Sequence, residues 1–272
     1  MNLRSSQKKF MSDNRTQMRI AGLTDISLRR AHNEDHIGFD ENQGILVLAD
    51  GMGGHKAGEC AAHMAVNLVL ESLQNLIDRQ TSGFISSAQL LTMISDTISD
   101  SNRKIYQAAA ANHDLKGMGT TLVAAIVRGS RVYIGHVGDS RLYLFRNNFL
   151  TRITRDHSLM QELIDKGLYT EAEARTATIG HIVTRALGIK AEVDAAHHEL
   201  ENNDLILLCS DGLTDMVADT LLQIALKNSQ DVDLMANRLV ELANEHGGKD
   251  NISVILARVC LEGSDGVDSD AQ

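Results

Sequence analysis

Short apolar runs rich in branched residues alternate with polar turns along much of the chain, a pattern typical of buried β-strands. The clearest runs are 45–48, 122–127, 132–137, 142–145, 205–209 and 252–259. Weaker strand patterns occur at 18–25, 36–39 and 192–200. The turn at Arg128-Gly129-Ser130 joins two of the clear runs, which predicts an antiparallel hairpin.

Three longer stretches have apolar residues at helical spacing instead. One helix is expected to begin near Glu59 and to run for about 20 residues, because its apolar positions repeat every three or four residues. A second is predicted from Ser87 to Ala111, and a third from Asp231 to His246 with Leu234, Leu239 and Leu242 in its apolar stripe. These helices are predicted to pack on the strands.

The segment 156–188 has a different pattern, which predicts two short helices and a loosely patterned stretch between strands. It is therefore interpreted as a flap inserted in a single domain that spans residues 18–260. Residues 1–17 are polar and are predicted to form a flexible segment. Residues 261–272 are rich in Gly, Ser and Asp and are predicted to be disordered.

Composition narrows the classes of function. The chain has 272 residues and a formal net charge of -10, which argues against nucleic-acid binding because a phosphate backbone attracts clustered Lys and Arg. Its three cysteines are far apart, so neither a disulfide framework nor a zinc site is indicated. The sequence has no apolar run of membrane-spanning length and no signal-peptide centre. A cytoplasmic protein that does not bind a membrane is expected.

Four carboxylates lie at the edges of predicted strands beside Gly, Asn or Ser: Asp50, Asp139, Asp211 and Asp250. Taken alone, Asp139 is explained as a turn residue that makes an Asx-type hydrogen bond, and the glycine-rich loop after Asp50 has the composition of a tight turn. If the four carboxylates converged, cations would have to neutralise them, and oxygen ligands favour Mg²⁺ or Mn²⁺. Sequence spacing alone does not decide between these alternatives.

Arg30 precedes the acidic pair Glu34 and Asp35 by a few residues. The cluster is consistent with a surface salt-bridge network. Alternatively, Arg30 binds an anion next to carboxylates that would repel the anion unless metal ions lie between them.

A set of short motifs, taken in order, resembles that of the metal-dependent protein phosphatases of the PP2C (PPM) family, in its compact bacterial form. The motifs are Arg30 to Asp35, Asp50-Gly51-Met52-Gly53-Gly54-His55, Gly119-Thr120-Thr121, Val137-Gly138-Asp139-Ser140-Arg141, Ser210-Asp211-Gly212 and Lys249-Asp250-Asn251. The resemblance spans roughly residues 18 to 260. It implies an α+β fold, a four-layer α-β-β-α sandwich of two antiparallel sheets flanked by helices, with a flap insertion.

The resemblance also implies a metal site. Asp50 would bridge two Mn²⁺ or Mg²⁺ ions, and the Gly51 carbonyl would bind the second ion. Asp211 and Asp250 would complete the shell of the first ion.

The same resemblance gives Glu34 and Asp35 a place facing the second ion, partly through water. Asp139, together with Asp211, would hold a weaker third ion, and Arg30 would bind the phosphate. A water held between two cations would then attack phosphorus in line, without a covalent phosphoenzyme.

The acid that protonates the leaving group is an open question in the sequence. Relatives of the animal type have His directly after the Asp-Gly pair, where this chain has Met52, and Met cannot donate a proton. His55 matches a bacterial-type histidine and is a candidate for leaving-group protonation or substrate positioning. A metal-bound water is the alternative acid, and His55 could equally be a surface histidine at a helix start.

The function expected from the resemblance is hydrolysis of phosphoserine and phosphothreonine in proteins, opposing a cognate bacterial Ser/Thr kinase, by an enzyme that is a monomer. The flap is expected to influence substrate choice rather than bond cleavage. A catalytically silent module that binds phosphoproteins is the alternative. A P-loop nucleotide enzyme is disfavoured, because the chain lacks the GxxxxGK[ST] pattern.

Overall fold

The computed structural model describes residues 16–54, 56–79, 85–170, 173 and 182–261. The strands are β1 (Gln17–Asp25), β2 (Asp35–Asp40), β3 (Ile45–Met52), β4 (Gly119–Thr120), β5 (Leu122–Arg128), β6 (Arg131–Val137), β7 (Arg141–Arg146), β8 (Phe149–Arg152), β9 (Asp194–Glu199), β10 (Leu205–Cys209) and β11 (Ile252–Cys260). The helices are α1 (Lys56–Asp78), α2 (Ser87–Ala111), α3 (Leu159–Asp165), α4 (Asp211–Thr214), α5 (Asp219–Lys227) and α6 (Val232–Glu245).

The strands form two antiparallel sheets. The first sheet has the order β1-β11-β10-β7-β8 and the second has the order β2-β3-β5-β6-β9, with β4 paired to β3. The predicted hairpin is β5 and β6, in which Arg128 lies opposite Arg131.

Burial on both faces explains the unbroken apolar runs. On β3, Leu46 and Leu48 pack between the sheets, whereas Ile45 and Val47 pack against the helices outside the second sheet. The same alternation on β10 directs Ile206 toward the sheet interface and its neighbours toward α6. Since α1 and α2 cover the second sheet and α6 covers the first, the predicted four-layer α-β-β-α sandwich is confirmed.

The first clear strand is longer than predicted. The sequence pattern ended the run at Leu48, but β3 continues through Asp50 to Met52. Its last two residues, Gly51 and Met52, pair with Thr120 and Gly119 of β4. Backbone hydrogen bonds to β4 therefore extend the strand through glycine, where side-chain pattern gives no signal.

Three details of the helices also differ from the prediction. Helix α1 begins at Lys56 rather than near Glu59, and the helices α4 and α5 were not predicted. The prediction for Leu234 was wrong, because its side chain is 63% exposed, while Leu239 is fully buried. Five residues separate the two leucines, which corresponds to about 140° of rotation around a helix and places them on different faces.

Parts of the predicted domain organisation lie outside the described residues. These parts are most of the N-terminal segment and of the tail, together with residues 171–172 and 174–181 of the flap. The described base of the flap consists of α3 and the returning chain from residue 182. Within the described ranges, no helix is long and apolar enough to cross a membrane.

Candidate active site

The ends of strands from both sheets meet at a cleft of about 960 Å³. Most of the predicted site residues line it: Arg30, Glu34, Asp50, Gly51, Asp139, Asp211 and Asp250. Asp35 is buried opposite Asp50 in the pairing of β2 with β3. His55 lies outside the described residues. The structure thus brings together side chains that are up to 220 residues apart in sequence, as in the contact of Arg30 with Asp250.

Two threonines fix the backbone that presents Asp50. The Asp50 N–H donates to Thr121 Oγ1 at 3.0 Å. The Asp50 carbonyl accepts from the Thr121 N–H at 2.8 Å and from Thr120 Oγ1 at 2.8 Å. Because its backbone groups are satisfied by neighbouring residues, the Asp50 carboxylate is held in place at the end of β3.

Two glycines allow close approach of backbone beside Asp50. A Cβ atom on Gly51 would collide with the carbonyls of Gly58 and Glu34, and a Cβ on Gly58 would collide with the Glu34 carboxylate. The start of α1 therefore packs directly against the loop that bears Glu34. Larger residues at either glycine would push these groups apart.

Asn251 joins the loop before β2 to the start of β11. Its Nδ2 group donates to the carbonyls of Ile26 and His32 at 3.0 and 2.9 Å. Its Oδ1 accepts from the N–H of Glu34 at 2.9 Å. Asn251 is 4% exposed, so these bonds are shielded from water and stabilise the position of Glu34.

The guanidinium of Arg30 contacts Asp250. Arg30 Nη2 lies 2.5 Å from Asp250 Oδ2, and both side chains remain partly exposed at the cleft. A partly exposed guanidinium retains donors for an incoming anion.

Burial and mutual repulsion disfavour ionisation of the carboxylates. Removal from water, followed by repulsion from neighbouring carboxylates, raises the pKa of Asp50 and of Asp211 well above the usual value. Burial also raises the pKa of Asp35 to about 6, although hydrogen bonds from Ser253 and Ser210 oppose the shift. For Asp139, burial and then repulsion from Asp156 raise the pKa to about 6.

The chemistry of this donor set fits divalent cations. Among the described residues, Asp35 Oδ1 and Asp211 Oδ1 are buried oxygens without a hydrogen-bond partner, a costly arrangement that a cation would relieve. No three of the cleft carboxylates bring oxygens within 4.8 Å of one another in the described ranges. Further ligands would come from the Gly51 carbonyl and from water, which Mg²⁺ usually retains.

Several supporting residues have roles that the sequence analysis did not assign. Besides Thr121 and Asn251, they include Ser210, whose Oγ donates to Asp35 Oδ2 at 2.8 Å, and Asp156, which accepts a bidentate contact from Arg141. Asp156 and Arg141 both line the cleft. Arg141 and Ser210 lie in predicted motifs and Asp156 begins the predicted flap, but their partners are set by tertiary contacts.

An acidic, oxygen-rich cleft between two antiparallel sheets defines a metal-dependent hydrolase, and comparisons with known proteins identify its family. A family model described as "Protein phosphatase 2C" matches residues 28–257. The "Serine/threonine phosphatase stp" of Listeria monocytogenes is 42% identical over 238 residues, covering 86% of this chain and 92% of that protein. The chain belongs to the protein phosphatase 2C family, as its motifs predicted.

Solved structures agree with this assignment. The Mycobacterium tuberculosis serine/threonine phosphatase PstP/Ppp matches with a TM-score of 0.80 at 38% identity, covering 89% of this chain and 99% of that chain. The catalytic domain of PstP in complex with two manganese ions matches with a TM-score of 0.77 at 39% identity, covering 89% and 98%. Both support the same sandwich fold.

Proposed function

We propose that this protein is a Mn²⁺- or Mg²⁺-dependent phosphatase that hydrolyses phosphoserine and phosphothreonine in proteins. The proposal depends on the cleft in which Asp50 of the second sheet lies with Asp211 and Asp250, which are next to strands of the first sheet. One buried oxygen of Asp211 has no hydrogen-bond partner within the described part of the chain. The two manganese ions bound by the catalytic domain of PstP support the choice of metal.

The residue roles follow the family resemblance. Asp50 would bridge two ions, with the Gly51 carbonyl on one ion and with Asp211 and Asp250 on the other. Glu34 and Asp35 would act through water ligands. Asp139 would hold a third ion together with Asp211, a role supported by their mutual repulsion.

The bound ions, Arg30 and His55 would have separate roles in the reaction. The ions, when bound, supply a water activated for in-line attack and stabilise charge on the phosphoryl oxygens. Arg30 at the edge of the cleft would bind the phosphoryl group and orient it for attack. His55, which lies outside the described residues, is the proposed donor or positioning group for the leaving alkoxide.

The biological setting is proposed on the same grounds. The substrates would be phosphorylated proteins, and a cognate Ser/Thr kinase would supply them. We propose a cytoplasmic monomer, consistent with the acidic composition. A catalytically silent phosphoprotein-binding module is the alternative, but such a module has no need of the complete acidic set in the cleft.

The test measures phosphate release from p-nitrophenyl phosphate and from a phosphothreonine peptide, with Mn²⁺ and after chelation. Asp50→Ala and Asp211→Ala should each reduce the rate by about 1,000-fold or more, because charge stabilisation at phosphorus would be lost. Leu234→Ala, at an exposed position on α6, is the matched control and should retain the wild-type rate. Unchanged rates in both aspartate variants would exclude the proposed function, while peptide binding without turnover by the wild type would favour the silent module.

A further inference from the structure

A hydrogen-bonded cluster lies outside the cleft, at the base of the flap. It consists of His136 on β6, His157 and Arg185 at the two ends of the flap, and Asp194 at the start of β9. His157 Nε2 lies 3.1 Å from Asp194 Oδ2, and Arg185 Nη1 donates to Asp194 Oδ1 at 3.0 Å. Both histidines are buried, so the cluster is a defined part of the structure.

The donor types in this cluster could hold a metal, but their geometry excludes it. The rings of His136 and His157 are stacked, with centroids 4.6 Å apart and planes inclined by only 18°. A metal ligand lone pair lies in the plane of the imidazole ring, and two nearly parallel planes at this separation do not meet at one ion. The Arg185 guanidinium, 3.3 Å from His157 Nε2, would also repel a cation.

His157 instead holds both backbone groups of Gly138. The ring Nδ1 of His157 accepts from the Gly138 N–H at 3.1 Å, and the backbone N–H of His157 donates to the Gly138 carbonyl at 2.9 Å. Because Nδ1 is an acceptor, the ring proton is on Nε2, where it is donated to Asp194. Gly138 has φ +105°, and a Cβ there would collide with Thr121. The turn therefore requires glycine at position 138.

The residue after this supported glycine is Asp139. Asp139 is 8% exposed, so the orientation of its carboxylate depends on the turn that carries it. The same histidine also contacts the far end of the flap, because the Thr184 N–H donates to the His157 carbonyl at 2.8 Å. His157 thus contacts both the turn that precedes Asp139 and the far end of the flap.

We propose that His157 is a positioning residue that connects the flap to the metal-binding turn. Its Nδ1 accepts from Gly138 and so orients Asp139 toward the cleft, while its Nε2–H binds Asp194, which in turn binds Arg185 at the far end of the flap. The inference rests on the proposed function, since it concerns Asp139 as a ligand of the third ion.

Two substitutions separate the contact of Nδ1 with Gly138 from the contact of Nε2 with Asp194. In His157→Asn, the amide oxygen takes the place of Nδ1 and can accept from Gly138, whereas in His157→Gln the amide nitrogen takes the place of Nε2 and can reach only Asp194. The Kd of the most weakly bound Mn²⁺ is measured by titration with electron paramagnetic resonance, and folding is checked by circular dichroism. His157→Gln should raise this Kd by about tenfold or more, the usual cost of losing a residue that orients a ligand, whereas His157→Asn should stay within about threefold.

Asp139→Asn serves as the reference for loss of the third ion and should remove the weakest Mn²⁺ binding step. Equal Kd values in His157→Gln and His157→Asn would overturn the proposal, and so would an unchanged binding isotherm in Asp139→Asn. Wild-type protein that binds no Mn²⁺ and releases no phosphate would instead reject the proposed function, so the two failures are distinguishable.

Asp194→Ala removes the link from His157 Nε2 through Asp194 to Arg185 without altering His157 itself. Because Asp194 is about half exposed, the variant is expected to fold. Its weakest Mn²⁺ should bind as in the wild type, and KM for the phosphothreonine peptide should rise about threefold or more, with kcat for p-nitrophenyl phosphate within about twofold. An unchanged KM for the peptide would show that the contact through Asp194 does not hold the flap.

Discussion

Asp35 and Asp139 are carboxyl groups that the fold keeps from water, and their raised pKa values make the acidic cleft costly when no cation is bound. Burial is the first cause for both residues. At neutral pH the ionised forms would be repelled by other carboxylates, Asp250 in the case of Asp35 and Asp156 in the case of Asp139. The site therefore opposes folding unless cations neutralise it, which makes metal binding measurable as stability.

This cost predicts an unusual pH dependence in protein treated with chelator. Asp139 has a pKa of about 6 when folded, against an ordinary value of 3.8. The folded state therefore keeps a proton that the unfolded state releases, and the free energy of unfolding falls as pH rises from about 4 through about 6. One such group accounts for about 3 kcal/mol.

Urea unfolding between pH 4 and 7.5, with chelator and with excess Mn²⁺, measures this effect. The fall should be smaller in Asp139→Asn, which has no carboxyl group at this position, and smaller in wild-type protein saturated with Mn²⁺. If Asp139→Asn lost stability over this pH range as steeply as the wild type, the burial argument for Asp139 would be wrong.

The sequence indicated the principal carboxylates but not the residues that support them. Asp50, Asp211 and Asp250 stand out because each lies at a strand end beside Gly or Asn. Thr121 and Asn251 also lie in predicted motifs, yet their work depends on partners such as Asp50 and Glu34, and a linear pattern does not specify contacts between segments so far apart.

Among the elements, α6 shows how a correct helix can be predicted with an incorrect face. Its apolar side is formed by residues such as Val232, Met235 and Leu239. Leu234 was included only because it is a leucine near the expected spacing. Helix α5 was missed because its run from Asp219 to Lys227 is short, and short segments have weak periodicity.

The two leucines of α6 provide a matched test of packing against the first sheet. Leu239→Ala should reduce the free energy of unfolding by about 2–5 kcal/mol, because it leaves a cavity at a fully buried position. Leu234→Ala should change it by no more than about 0.5 kcal/mol. Chemical denaturation of both variants with Mn²⁺ bound measures the difference, and similar losses would mean that the face of α6 is assigned incorrectly.

For the molecule as a whole, the sandwich supplies the acidic floor of the cleft and the flap supplies part of its wall. Met160 and Ile164 of α3, with Val183 on the returning chain, line the cleft. A small aryl phosphate needs only the floor, whereas a phosphopeptide extends to the wall. The sequence predicted a flap from its irregular pattern, but it could not show which flap residues face the cleft.

Ile164→Ser should therefore lower kcat/KM for a phosphothreonine peptide by about fivefold, the loss expected for about 1 kcal/mol of apolar contact. Its kcat/KM for p-nitrophenyl phosphate should change by less than about twofold. Leu168→Ser is the control, since Leu168 is 65% exposed and is not among the residues lining the cleft. Equal losses for both substrates would indicate that Ile164 supports the floor instead of the wall.

The flap leaves and rejoins the sandwich at one point. The Leu159 N–H donates to the Ile182 carbonyl at 2.8 Å, and Ser158 pairs with Val183. A segment whose two ends are already neighbours can be exchanged as a cassette, because a replacement of almost any length has to span the same small gap. Exchange of only the stretch between Leu159 and Ile182 would therefore change the surface that meets a substrate and leave His157 and the carboxylates beneath it in place.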